Sequence, residues 1–408
     1  MPGGPLAGVR VLDVTSTFMG PYCTLLMAQM GADVLKVEPP AGDLVRYVGD
    51  GRGTGMGPIF LNANRGKRSV VLDLADPEGQ ELLGRLAAEH DVFVHNMRPA
   101  SERKLAITYA DIAAVNPTVI HCGLHGFSSA GPYHGMPAYD DVIQAASGLA
   151  ASQGADGSPE YVRTVVADKV AALMALGAIN AALYHRAATG VGQAVEVPML
   201  ETLIGFTMLE QQGGYVYDPP AGPAGYARTA SPHRRPYRTA DGHLSTMIYT
   251  DQHWRSFFAL IGRPELADDP RNATITARTE HIDELYELVA TELATRSTAE
   301  WRTALETAGI PVMPVNSLTE VFTDPQVAAA GLFEHAEHPT EGPLRLARPA
   351  VGFSASGNGE VRPAPRLGEH TAAVLAGLGL GAAEIHRLTR AGACAPRRRT
   401  PPAAGAAG

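Results

Sequence analysis

Asp168 heads the stretch VVADKVAALMALGAIN, in which no charged residue occurs between Val170 and Ile179. A carboxylate before so apolar a helix has two readings. It caps the helix, as Asp commonly does, or it serves as a nucleophile, because a buried helix amino terminus holds a carboxylate ionised and oriented. The position three beyond a cap at 168 is Ala171, so no capping box forms. The helix is apolar on all sides, which implies a buried start. Three basic residues, Arg65, Lys67 and Arg68, crowd the segment NRGKRSVVLDL just before a β-rich run. They read as a solvated basic turn or as directed donors to a polyphosphate. HNMRPASERK sets Asn96 and Arg98 directly after DVFV, and GLHGFSSAGPY sets His125, Gly126 and Phe127 in the same relation to TVIHC. A single histidine in such a place is usually structural. The glycine-rich GDGRGTGMG (49–57) follows no strand, opens no helix and lacks the Lys-Ser/Thr of a P-loop. It reads as a loop over a site.

These residues need a scaffold, and the first third of the chain supplies one. GVRVLDVT, DVLKVEP, SVVLDL, DVFVHN and TVIHCGLHG read as strands. Helix-period segments separate them: PYCTLLMAQMGA closed by Gly31, DPEGQELLGRLAAEH with Asp76 as cap and Pro77 in the first position, and YADIAAVN. That alternation predicts an α/β fold with right-handed crossovers and a mostly parallel sheet. Ligands of such sheets bind beyond the carboxyl ends of the strands, which marks Asn96, Arg98, His125 and Gly126 as candidate contacts. QAVEVPML follows the Asp168 helix as a further strand. The expected organisation is a first part of a large domain over 1–212, a linker over 213–232, a small domain over 233–333, a return to the large domain over 334–392, and a low-complexity, disordered tail over 393–408. The small domain shows two strands around Asp241-Gly242, three helices and a capping box from Ser297 to Glu300.

At 408 residues two domains are expected. A net charge of −9 argues against nucleic-acid or anionic-membrane binding. Cys23, Cys122 and Cys394 are too few and too scattered for a disulfide framework or a metal site. MPGGPLAGVRVLDV lacks the basic region and apolar run of a signal peptide. A cytoplasmic protein with no membrane span is expected.

Taken together and in order, GVRVLDVT…GPYCTLLMAQMGADVLKVEPP, NRGKRSVVLDLADPEG, DVFVHNMRP, GFSSAGPY…PAYDDVIQAASG, VVADKVAALMALGAINAALYHRAATGVGQAVEVPMLE and PVNSLTEVFTDPQV resemble the class III coenzyme A transferases, the family of formyl-CoA and carnitine-CoA transferases. The likeness spans about residues 5 to 392. It implies a Rossmann-like large domain and a smaller α+β domain joined by long linkers, with two chains interlocked as a homodimer. It implies that Asp168 attacks an acyl-CoA thioester and passes through a mixed anhydride and an aspartyl-CoA thioester before an acceptor carboxylic acid collects CoA. By the same resemblance Arg65, Lys67 and Arg68 hold the CoA phosphates, Asn96 and Lys104 contact CoA with Arg98 as an additional contact, and His125 and Gly126 bracket the pantetheine end. CoA and its ester are substrates; no permanently bound cofactor and no metal are expected.

Two alternatives accompany that reading. A related racemase uses a His and an Asp on either side of the substrate α-carbon, but where its histidine would fall, in PAYDDV, this chain has Tyr139 followed by Asp140, two residues expected in the substrate pocket. An imidazole is the natural proton carrier at neutral pH, and His134 lies five residues too early. A catalytically silent CoA-binding module, with Asp168 merely a cap, is the third reading. The chain also departs from the formyl-CoA type, which carries a glutamine where this one reads Phe18 and Met19. An apolar site of that kind disfavours oxalate and formate. In PHRRPYR, Arg234, Arg235 and Arg238 are surface charges, or one of them clamps the carboxylate of a larger acid or the distal carboxylate of a dicarboxylate.

Overall fold

The computed structural model describes residues 3–154, 157–360 and 362–397. The chain forms two compact units, one from residues up to 148, 161–206 and 329 onward, the other from Leu149–Glu160 and Thr207–Ala328. The divisions at 206 and 329 replace the expected ones at 212 and 333, and the expected linker 213–232 falls within the second unit.

The first unit is built on β1 (Arg10–Val14), β2 (Asp33–Glu38), β3 (Arg68–Val71), β4 (Val92–His95), β5 (Ile120–His125) and β6 (Gln193–Pro198). They form one parallel sheet in the order β3-β2-β1-β4-β5-β6. The central strands are near-continuous apolar runs because helices cover both faces of such a sheet; Leu12, Leu35 and Phe93 are buried in its core. The helices are α1 (Met19–Gln29), α2 (Pro58–Ala63), α3 (Pro77–Ala88), α4 (Pro99–Lys104), α5 (Tyr109–Val115), α6 (Asp140–Ala146), α7 (Leu149–Gln153), α8 (Val166–Thr189) and α9 (Met199–Gln211). Of these, α7 belongs to the second unit and α9 crosses the division. Asp76 caps α3 as expected, accepting from the Glu78 N–H.

In α8 the cap position is Val165, and Asp168 is the third helical residue. The expectation that Asp168 caps this helix is therefore corrected: its own N–H is one of the first-turn donors that a helix leaves free. The small-residue face of α8, including Ala171, Ala175 and Ile179, is buried, and the helix packs on α1. The remainder exposes Leu173, Met174 and Tyr184. Among the described residues α8 is the one helix long and apolar enough, by length and composition, to cross a membrane.

The second unit carries a three-stranded antiparallel sheet of β7 (Tyr237–Arg238), β8 (His243–Thr246) and β9 (Val312–Pro314). Its core centres on Trp254, Phe257, Phe258 and Trp301. Both arms of the Ser297–Glu300 capping box are present. The chain re-enters the first unit through the hairpin of β10 (Phe333–His338) and β11 (Gly342–Ala347) and two helices, Thr371–Gly377 and Ala382–Ala391. Ala393 and Cys394, expected in a disordered tail, are buried in the first unit's core instead. The Asp73 N–H donates to the Ala393 carbonyl at 2.8 Å, which ties the segment down. Residues 398–408 of that expected tail lie outside the described residues.

Candidate active site

The strand order reverses between β1 and β4, and at that switch point a parallel sheet leaves a crevice beyond its carboxyl ends. A cleft of about 810 Å³ opens there, with Val14, Glu38, Asn96, His125 and Asp168 among its lining. Leu44, Met97, Met136 and Met199 make much of the wall apolar.

The turn from β1 into α1 forms one side, and buried charges beneath set its shape. Asp13 is fully buried; its Oδ2 lies 3.1 Å from Lys67 Nζ. Burial alone would raise the Asp13 carboxyl, but Lys67, Lys36 and the hydroxyls of Thr15 and Thr24 outweigh it and hold the group well below the usual carboxylate range. Lys67 donates further to the Pro21 carbonyl at 3.0 Å and to Asn64 Oδ1 at 2.8 Å. Lys36 donates to the Thr15 carbonyl at 2.8 Å. Thr17 sits in the left-handed region at φ 68, which costs a residue with a Cβ about 1–2 kcal/mol. Its N–H is held by Asp43 Oδ1 at 3.1 Å. Asn96 clamps the neighbouring residue: its Oδ1 accepts from the Ser16 N–H at 3.1 Å and its Nδ2 donates to the Ser16 carbonyl at 2.9 Å. Gly20 has no room for a Cβ, which would overlap the Thr15 side chain. These contacts aim the first N–H of α1.

That N–H, from Met19, donates to the carboxylate of Asp168. Asp168 is half-buried. Burial and then the neighbouring Asp140 carboxylate push its pKa up to about 7, with the Met19 N–H acting in the opposite direction. Asp140 is buried behind it: Oδ1 accepts from the Asp168 N–H at 3.0 Å, and Oδ2 accepts from Gln144 Nε2 at 2.6 Å. Gln144 is anchored by the Val162 N–H, which donates to its Oε1 at 2.9 Å. The result is an oriented carboxylate, open to an apolar cleft, that is about half ionised at neutral pH.

Phe18, Met19, Asn96, Arg98, His125, Gly126, Tyr139 and Asp168, all marked from the sequence, line this one cleft. Arg98 is exposed and has no ion-pair partner among the described residues. Gly126 is required by close approach, since a Cβ there would overlap that of Ala138. The other marked residues lie elsewhere. Asp140 is no part of the cleft lining but supports Asp168 from behind. Lys104 is exposed at the end of α4 and does not line the cleft. The basic trio is not at the cleft either. Residues that precede a strand of a parallel sheet fall at its amino edge, opposite the ligand edge. Lys67 is consumed by Asp13, and Arg68 pairs with Asp33 at 2.7 Å. Buried Arg65 donates to the carbonyls of Asn62 and Ala347. Arg234 and Arg235 line a separate hollow of about 240 Å³ in the second unit, with Tyr237 and Tyr286.

With this geometry in view, residues 6–371 match the model of the family described as CoA-transferase family III. The chain belongs to that family. It is a CoA transferase. The succinate–glutarate CoA-transferase of Agrobacterium fabrum is 34% identical over 385 residues, covering 92% of this chain and 96% of that one. A formyl-CoA:oxalate CoA-transferase of Escherichia coli is 31% identical over 405 residues, covering 93% and 97%. Among solved structures, a CAIB/BAIF family protein from Brucella suis superposes with a TM-score of 0.78 at 30% identity, covering 92% of this chain and all of that one. CoA thioesters and carboxylates are thus the substrates of this CoA transferase.

Sequence reasoning marked Asp140 as a pocket residue and missed its contact with Asp168. It also missed a cluster at the ends of β4 and β5, where His95, Glu102 and His125 converge. The spacing of single histidines on two strands carries no warning that they will meet.

Proposed function

We propose that this CoA transferase works through covalent catalysis by Asp168, with an acyl-CoA as donor and a succinate- or glutarate-sized dicarboxylic acid as acceptor. The carboxylate attacks the thioester carbonyl and CoA leaves as thiolate, which forms a mixed anhydride. The thiolate then attacks the aspartyl carbonyl and expels the donor acid, leaving an aspartyl-CoA thioester. The acceptor carboxylate attacks that thioester, and a second exchange returns CoA to the new acyl group and frees Asp168. The observation that carries this reading is the position of Asp168: an accessible carboxylate at the switch-point cleft, held by an N–H of α1 and raised in pKa by its surroundings. Desolvated carboxylates are activated nucleophiles, and N–H donors at the adjacent turn are suited to charge that develops on the thioester oxygen.

Phe18, Met19 and Met136 make the region near Asp168 apolar, which favours an acid with methylene groups over oxalate or formate. The Agrobacterium relative, named for succinate and glutarate, supports the same choice. Arg98, on the cleft wall with no ion-pair partner among the described residues, is suited to a phosphate or carboxylate of either substrate. The racemase reading lacks an imidazole at Tyr139. The exposed apolar side chains of α8, Leu173, Met174 and Tyr184, support a homodimer; a sedimenting species of single-chain mass alone would count against it.

The test is CoA exchange between succinyl-CoA and labelled glutarate, followed by mass, in wild type and Asp168→Asn. Exchange is expected in the wild type and a loss of at least a thousandfold in the variant. Undiminished exchange by the variant overturns the nucleophile. Deuterium uptake at the α-carbon of a 2-methylacyl-CoA, with no exchange, would favour the racemase.

A further inference from the structure

We propose that His95, Glu102 and His125 form a binding site for one divalent first-row metal ion of the Zn²⁺ type in the wall of the cleft. The two histidines end adjacent parallel strands, β4 and β5, with ring centroids 5.6 Å apart. Glu102 reaches them from α4, its Oε1 3.7 Å from His95 Nε2. One ligand atom from each of the three lies within 4.8 Å of the others.

His95 supplies the decisive observation. It is fully buried, and among the described residues neither ring nitrogen has a hydrogen-bond partner. Leaving a buried polar group unmatched is costly, so an imidazole in this state calls for a partner. The 3.7 Å approach of Glu102 is too long for a hydrogen bond. It is close to the spacing of two ligands that each stand about 2.0–2.2 Å from one zinc ion, roughly 3.3–3.6 Å for tetrahedral geometry. His125 is anchored as metal-bound histidines usually are, by a hydrogen bond from its ring to the backbone of Met97. The neighbouring His121 uses its Nε2 on the Ile107 carbonyl at 2.8 Å and stands outside the set. Two imidazoles and one carboxylate are a donor set that suits Zn²⁺, Co²⁺ or Fe²⁺ and leaves a further coordination position. His125 lines the cleft, so the ion would sit in the cleft wall.

The experiment uses the full chain, stripped with chelator and titrated with ZnCl₂ and CoCl₂. Expected are one retained Zn²⁺ per chain by elemental analysis, a rise in Tm on Zn²⁺ addition, and visible Co²⁺ bands of low-symmetry nitrogen–oxygen coordination. Glu102→Gln should weaken retention at least tenfold and remove the Tm rise; if it does not fold, His125→Gln makes the same comparison. A wild-type chain that retains no Zn²⁺ at micromolar free ion overturns the site. Equal retention by the folded variant also overturns it, since the ion would then sit on other surface histidines.

Discussion

Replacing Asp140 by Asn keeps the oxygen that accepts the Asp168 N–H at 3.0 Å and removes a negative charge from behind the nucleophile. Two unit charges about 6 Å apart repel by about 1.4 kcal/mol at an effective dielectric constant of about 40, the scale expected for this pair. That corresponds to about one pH unit. Removing the like charge favours the ionised form, so the pKa of Asp168 falls from about 7 to roughly 6 in Asp140→Asn. Burial, the larger cause of the rise, remains in the variant. The assay is kcat/KM against pH for CoA exchange, which reports the ionisation of groups in the free enzyme. The acidic limb rises with pH as Asp168 ionises, with an inflection near pH 7 in the wild type and near pH 6 in the variant. At pH 6 the ionised fraction goes from roughly one tenth to one half, so the variant reaches a fraction of its own plateau about fivefold higher than the wild type does. A limb that stays in place, or moves to higher pH, refutes the coupling of these two carboxylates.

Lys67→Met breaks a fully buried ion pair and strands Asp13, which is expected to cost about 3–5 kcal/mol and appear as a large fall in Tm. An unchanged Tm with a raised KM for the CoA ester would instead make Lys67 a phosphate ligand. Asp168→Asn is expected to raise Tm at high pH. The folded-state pKa of about 7 lies above the ordinary 3.8, so the stability linked to this carboxyl is present below the lower value and lost as pH rises through about 7. At pH 8 the variant, which has no charge to bury, should melt a few degrees higher than the wild type, and near pH 3 the two should converge. Equal melting temperatures at pH 8 would show that Asp168 ionises without penalty.

Much of the scaffold was legible because its signals are local. The Asp76–Pro77 start of α3 and the Ser297–Glu300 box concern residues a few positions apart. Alternation of apolar runs with helix-period segments led to the parallel sheet, and the sheet led to its carboxyl edge. Asn96, Arg98, His125 and Gly126 followed from that edge alone, since each stands at a strand end. The start of α8 was harder: Asp168 resembles a cap, but helical dihedrals begin two residues earlier at Val166. A cap preference is a weak prior where tertiary packing decides which turn forms first.

The sequence by itself determined the α/β class, the sheet edge at which the cleft opens and the presence of a lone acid beside it. Tertiary structure decided what each charge does there. Lys67 meets a carboxylate 54 residues away in the chain, and Asp168 meets Asp140 across 28. Basic residues written side by side were sent to separate partners, and histidines written apart were brought together. Periodicity and capping depend on neighbours in the chain, whereas pKa, ion pairing and ligand sets depend on desolvation and on which groups the folded core presses into contact.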